Sequence, residues 1–235
     1  MPSRVVLEIC VESTDRAIAA ERGRAHRIEL CSDLSCGGIT PSAGLIEATR
    51  QQVRIPIHVL IRPRAGDFCY SSPEFEIMAR DICAAKDLRV DGIVLGILDP
   101  KEQIDISRTR RLVDLARPLP VTFHRAFDLC RDIDGNACLE AVIQTGAARI
   151  LTSAGQDRVV DGIAQIANLV RAAGDRIAIM PGGGVNAENV QQIVQQTGAP
   201  EIHASLGSAD ATSNTSGHEF EGRVRRVRDI VEAMR

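Results

Sequence analysis

The chain has 235 residues, 44% of them apolar and 25% charged, with a formal net charge of −3. That length holds one sizeable domain, and an acidic balance with no basic face excludes nucleic acid and anionic membrane as expected partners. No Trp, one Tyr and five Phe leave no stacking platform for single strands, so Ile, Val, Leu and Ala must build the core.

In chain order, eight short apolar runs read as strands: Val5–Cys10, Arg27–Cys31, Pro56–Ile61, Gly92–Leu98, Pro120–His124, Arg149–Ser153, Arg176–Met180 and Glu201–Ser205. Their Val- and Ile-rich interiors suit parallel strands covered on both faces. Helical periodicity fills the gaps. Ser13 or Thr14 caps the first helix, which runs to about Gly23. Ser72, followed by Pro73 and Glu74, caps another, and Asp105 opens one that runs through Arg117 and stops at Pro118. Gly146, Gly174 and Gly198 follow helical stretches as C-caps. The alternation predicts a single (β/α)8 TIM barrel over residues 1–235, with the chemistry on the loops after the strands.

Two of those loops are long, Ser32–Ser42 and Leu206–Gly217, the second low in complexity. The opening Met1-Pro2-Ser3-Arg4 carries no charged-then-apolar leader, and no run reaches spanning length, so a cytosolic protein is expected. Seven cysteines, an odd count without CxxC spacing, are expected as reduced thiols.

Reactive residues gather at the strand ends. The first two strands share the order apolar–Glu–apolar–Cys, which puts Glu8 with Cys10 and Glu29 with Cys31 on one side each. A glutamate is costly in the helix-facing layer, so that side is the barrel interior near its mouth. There the carboxyls suit acid–base chemistry, one pushed up by the other, or form ion pairs with Arg62 or Arg125. The thiols suit a soft ion such as Cu(I), or serve as small buried hydrophobes. After the third strand, Arg62-Pro63-Arg64 makes a stiff cationic loop that binds a carboxylate or phosphate, or pairs with Glu29 or Asp67.

At the fifth strand's end, Thr122-Phe123-His124-Arg125-Ala126-Phe127-Asp128 offers an acid or base in His124, an anion holder in Arg125 and an orienting carboxylate in Asp128. Ser153 ends the sixth strand. Gly182, Gly183 and Gly184 follow the seventh and Ser205 the eighth, where barrels commonly bind phosphate. His26 lies at the wrong end, His58 reads as structural, His203 points inward beneath the site, and His218 is solvated.

Several of these segments together resemble the CutC family, named for copper homeostasis. They are Glu8-Ile9-Cys10-Val11, Arg27-Ile28-Glu29-Leu30-Cys31-Ser32, Gly37-Gly38-Ile39-Thr40-Pro41-Ser42, Ile61-Arg62-Pro63-Arg64-Ala65-Gly66-Asp67-Phe68, Thr122 to Asp128, Leu151-Thr152-Ser153 and Met180-Pro181-Gly182-Gly183-Gly184. The resemblance covers nearly the whole chain and is weakest from about Gly207 onward. It implies a cytosolic TIM barrel, often a homo-oligomer, that binds Cu(I) through cysteines, a role that falls on Cys10 and Cys31. The other five cysteines match no family pattern, and no reaction comes with the resemblance. Two functions are therefore expected: copper homeostasis with Cu(I) at the barrel mouth, or an enzyme acting on a small anionic or phosphorylated metabolite at the same face.

Overall fold

Strand and helix alternate along the chain in the computed structural model, which describes residues 5–131, 136–207 and 217–234. Most of the expected loop Leu206–Gly217 lies outside the described residues. The first half runs β1 (Val6–Val11), α1 (Thr14–Arg22), β2 (Arg27–Leu30), α2 (Ala43–Gln52), β3 (Ile57–Leu60), α3 (Ser72–Asp87), β4 (Gly92–Leu95) and α4 (Ile106–Ala116). The second half runs β5 (Val121–Phe123), α5 (Asn136–Thr145), β6 (Arg149–Thr152), α6 (Ile163–Ala173), β7 (Ala178–Pro181), α7 (Val190–Thr197), β8 (Glu201–Ala204) and α8 (Gly217–Ala233).

All paired strands are parallel, in the order β7-β6-β5-β4-β3-β2-β1-β8. β7 and β8 also lie side by side and bring the sheet round to a nearly closed barrel. This is the (β/α)8 TIM barrel that the alternation predicts. No helix among the described residues is long and apolar enough to cross a membrane.

Local chemistry sets the element ends. Ser13 and Asp105 accept the backbone N–H groups of Arg16 and Arg108, as N-caps do. The third helix is capped one residue earlier than expected, by Ser71, whose hydroxyl and the Glu74 carboxylate form a reciprocal capping box. Strand β4 is shorter than its apolar run, because Leu98 leaves it to bridge Ile104 in the following loop. β7 starts later than its run, at Ala178, because the Arg176 N–H still closes a turn on Ala173 O while its guanidinium binds Glu140 on α5.

One expectation is corrected. Cys130 and Cys138 are joined by a disulfide, while Cys10, Cys31, Cys36, Cys69 and Cys83 are free. The bond ties the loop after β5 to the start of α5, a juxtaposition made by the chain's path and invisible to a search for CxxC spacing.

The core has two compartments. Leu7, Ile9, Val11, Ile28, Leu30, Ile57, Val59 and their counterparts face the helices in one continuous apolar sleeve. Cys10, Cys31, Leu60 and Val94 form a separate small cluster on the opposite, inward face. Period-two alternation along each strand produces the division.

Candidate functional site

The barrel interior is lined by charge, and strand register explains how. Glu8 on β1 pairs with Arg27 on β2 and with His203 on β8, while Cys10 pairs with Glu29 and Glu29 with His58 on β3. Being inward-facing on adjacent strands, these side chains find most of their polar partners inside the barrel.

Near the bottom, Arg27 binds Glu8 through Nε and Glu201 through Nη2. Arg149 Nε donates to the same Glu201 carboxylate at 3.0 Å, and its Nη1 lies 3.3 Å from Thr122 Oγ1. One level up, His203 Nδ1 lies 2.8 Å from Glu8 Oε1 and its Nε2 lies 3.5 Å from Glu29 Oε2. His58 Nδ1 stands 3.7 Å from Glu8, beyond hydrogen-bond reach.

The electrostatics follow from the placement. Burial alone would push Glu8 up, but the Arg27 guanidinium and then the His203 contact outweigh it and hold Glu8 well below the usual carboxylate range. Glu29 goes the other way, raised chiefly by burial. The two carboxyls are thus pulled apart, as paired groups in one site are. Burial would also lower His203, yet its bond to Glu8 and the charges of Glu29 and Glu8 raise it. His58, mainly desolvated, is lowered to about 3.

At the mouth the Cys10 and Cys31 sulfurs lie 3.6 Å apart, both buried. Contact with Cys31, then burial, then the Glu29 charge push the Cys10 thiol well above its ordinary value. The loop Ser32–Ser42 folds over this pair. It closes with a Ser32–Ile39 bridge and lays Leu34 against the thiol cluster. Arg62 fastens it, its Nη1 donating to the carbonyls of Cys36 at 3.0 Å and Gly38 at 2.7 Å, while Nη2 reaches Gly66 O at 2.9 Å. Arg62 is therefore a clasp on the cover, and it contacts neither Glu8 nor Glu29 among the described residues.

The remaining expected residues fall into separate groups. Arg64 is tied to Glu74, Asp67 and the Cys69 carbonyl. His124 follows β5 as the cap of a short 3-10 turn and accepts the Ala126 N–H through Nδ1 at 3.1 Å. Burial, and secondarily Arg62, lower it to about 3, so it is neutral at physiological pH. Its ring lies 4.7 Å from that of Phe68. Its Nε2, Arg62 Nε and Tyr70 Oη are buried without a hydrogen-bond partner among the described residues.

Arg125 turns away from His124. Its Nε binds Asp128 at 2.7 Å and its Nη2 binds Ser153 Oγ at 2.7 Å. Asp128 also accepts the backbone N–H groups of Ser153 and Gly155 and the Thr152 hydroxyl. Gly183 sits over this knot: its φ of +112°, and a Cβ position 3.3 Å from Ser153 Cβ, admit only glycine comfortably. Gly182 N–H donates to Thr152 O, Gly184 O accepts from Asn189 Nδ2, and Ser205 stands exposed after β8.

Alternation thus brings Glu8, Cys10, Glu29 and Cys31 together, and Arg125, Asp128, Ser153 and Gly183 form a second, rim group. Arg27, Arg149 and Glu201, at the starts of their strands, and His203 are the partners that a search of strand ends passes over. The available signal was parity. Arg27 shares its face with Glu29, and Glu201 with His203.

A TIM barrel with a covered dithiol at its mouth, above a charged interior, defines the class of protein. Residues 5–208 match the CutC family. The chain is 46% identical over 215 residues to the human copper homeostasis protein cutC homolog, covering 92% of this chain and 77% of that protein. It is 43% identical over 237 residues to the family protein CutC of Xanthomonas campestris pv. campestris strain 8004, covering 97% and 98%. The crystal structure of a CutC protein from Streptococcus agalactiae superposes with a TM-score of 0.81 at 36% identity, covering 86% and 98%. The chain belongs to the CutC family.

Proposed function

We propose that this copper-homeostasis-family chain holds Cu(I) between the Cys10 and Cys31 thiolates, which are free beside the Cys130–Cys138 disulfide, and that it works in the cytosol. The observation that carries this reading is the pair of buried sulfurs 3.6 Å apart beneath Leu34, Leu60 and Val94. Thiolate is the donor that a soft ion prefers, and apolar walls keep water from competing. Because the free Cys10 thiol holds its proton so firmly, the ion has to displace it, and uptake strengthens as pH rises.

The test is an anaerobic Cu(I) competition titration of the reduced protein beside a Cys10→Ser/Cys31→Ser variant. Stoichiometric, tight binding in the parent, lost in the double variant, is the expected result. Equal binding by both proteins sinks the reading.

A second reading draws on the rim. With Nε and Nη2 of Arg125 engaged by Asp128 and Ser153, Nη1 has no hydrogen bond among the described residues and lies beside Gly183, 3.6 Å from where its Cβ would be. A positioned guanidinium edge next to a glycine loop suits a small anionic or phosphorylated metabolite. Inorganic phosphate is expected to bind the parent more tightly than Arg125→Gln, as isothermal titration would record. Indifference to that change removes this reading.

A further inference from the structure

The Cys10 sulfur belongs to two donor sets. One is the pair with Cys31. The other is Cys10 Sγ, a Glu29 carboxylate oxygen and a His203 ring nitrogen, all buried and all within 4.8 Å of one another. Sulfur, oxygen and nitrogen together make a borderline set, harder than two thiolates. Three protein donors with a fourth position open is the ligand count of a zinc ion that keeps a water or exchangeable ligand.

The fixing of His203 separates this cluster from chance proximity. Its Nδ1 lies 2.8 Å from Glu8 Oε1. Glu8 is clamped by Arg27, and an ionised carboxylate only accepts hydrogen bonds. Nδ1 therefore carries the hydrogen of that contact, and in the neutral ring Nε2 keeps the lone pair. Nε2 is the nitrogen that faces Glu29, at 3.5 Å. A carboxylate behind an imidazole whose other nitrogen faces the donor cluster is the outer arrangement that orients metal-bound histidines. Glu8 is in turn held by a chain of ion pairs reaching Glu201 and Arg149, so the ring has little freedom to turn away.

We propose that Cys10, Glu29 and His203 form a binding site for a divalent ion of the zinc class, with Glu8 as the positioning residue behind His203. Occupancy excludes Cu(I), and Cu(I) excludes it, because both sets need the Cys10 sulfur. The proposal touches the Cu(I) reading only through that shared atom.

Co2+ is the probe, added without oxygen to the full, reduced chain as a coloured stand-in for Zn2+. The expected spectrum has a thiolate-to-metal charge-transfer band and intense visible bands of four-coordinate cobalt, both erased by one equivalent of Zn2+. Cys31→Ser keeps these bands and loses tight Cu(I) binding. His203→Gln and Glu29→Gln lose the bands and keep Cu(I) binding. Glu8→Gln weakens Co2+ affinity by about 10–100-fold with band shape unchanged.

Proton spectra of the parent with Co2+ add a readout that needs no variant: a shifted, slowly exchanging signal from the His203 Nδ1–H. Absence of the charge-transfer band or of that proton signal overturns the proposal, as do bands that survive His203→Gln and Glu29→Gln in folded protein. Failure of the Cu(I) reading shows separately, as Cu(I) binding that Cys31→Ser leaves intact.

Discussion

Replacing Arg27 by leucine is expected to cost about 3–5 kcal/mol of folding stability, measured by chemical denaturation at neutral pH. The magnitude follows from what is left behind. Glu8 is wholly buried and Glu201 partly so, and both accept from this one guanidinium. Leucine fills much of the volume but strands Glu8 with only His203 as a hydrogen-bond donor. A buried carboxylate deprived of its cation is among the few changes that destabilise a domain this strongly.

The same variant has a pH signature whose sign is fixed. In the parent, Glu8 lies below its ordinary value of 4.5. Its contribution is therefore present above that value and is lost as pH falls toward the folded one. Glu29 lies above its ordinary value of 4.5, so its contribution is present below that value and is lost as pH rises through the folded one. In Arg27→Leu, burial is the largest influence left on Glu8 and is opposed only by the two histidines. Protonation then relieves the variant, and the stability gap to the parent narrows as pH falls. A gap that stays constant from neutral pH into the acid range would show that Arg27 acts through packing and not through charge.

Gly92→Ala is expected to cost about 1–3 kcal/mol, by overpacking of the barrel's inner layer. Gly92 stands opposite His58 in the β3–β4 register. An added Cβ would come within 2.3 Å of His58 Cδ2 and 2.4 Å of its Nε2. The ring is 3% exposed with Glu8 on its far side, so it has no open space to retreat into. Gly222→Ala in α8 is the contrast, since a Cβ there meets nothing within 4 Å. That change should be neutral or stabilising by up to about 1 kcal/mol, because alanine suits a helix interior better than glycine. Parallel denaturation curves of the two variants check both; a Gly92→Ala midpoint equal to the parent's would mean the inner layer is looser than its geometry implies.

Much of this arrangement is legible from alternation alone. Apolar–Glu–apolar–Cys in two successive strands puts the thiols and carboxyls on one wall, because the pleat leaves no other choice. What alternation does not tell is which neighbour satisfies a buried charge. Glu8 finds Arg27 and not Arg62 or Arg125, because parallel register sets the start of β2 beside the middle of β1. The partners of Arg62 are loop carbonyls, and a main-chain oxygen has no side-chain letter to read. The Cys130–Cys138 bond was hidden for the same reason, since the path of a loop brought those positions together. His203 is inward by parity, but its importance rests on the nearness of Glu8 and Glu29 and so on the closing of the barrel.

A column of ion pairs runs down the lower barrel axis. Arg27 and Arg149 stand against Glu8 and Glu201, two formal positive charges against two negative, so the lower axis is electrically neutral. Whatever net charge the interior carries is decided at its top, by Glu29, His203, the thiols and the buried Arg62 guanidinium, which is bonded only to neutral loop carbonyls. A cation arriving there is neither repelled nor drawn deeper by the floor beneath it. Discrimination among ions therefore falls to the few donor atoms that touch the visitor, and exchanging one of those atoms should alter which ion is taken without disturbing the barrel below.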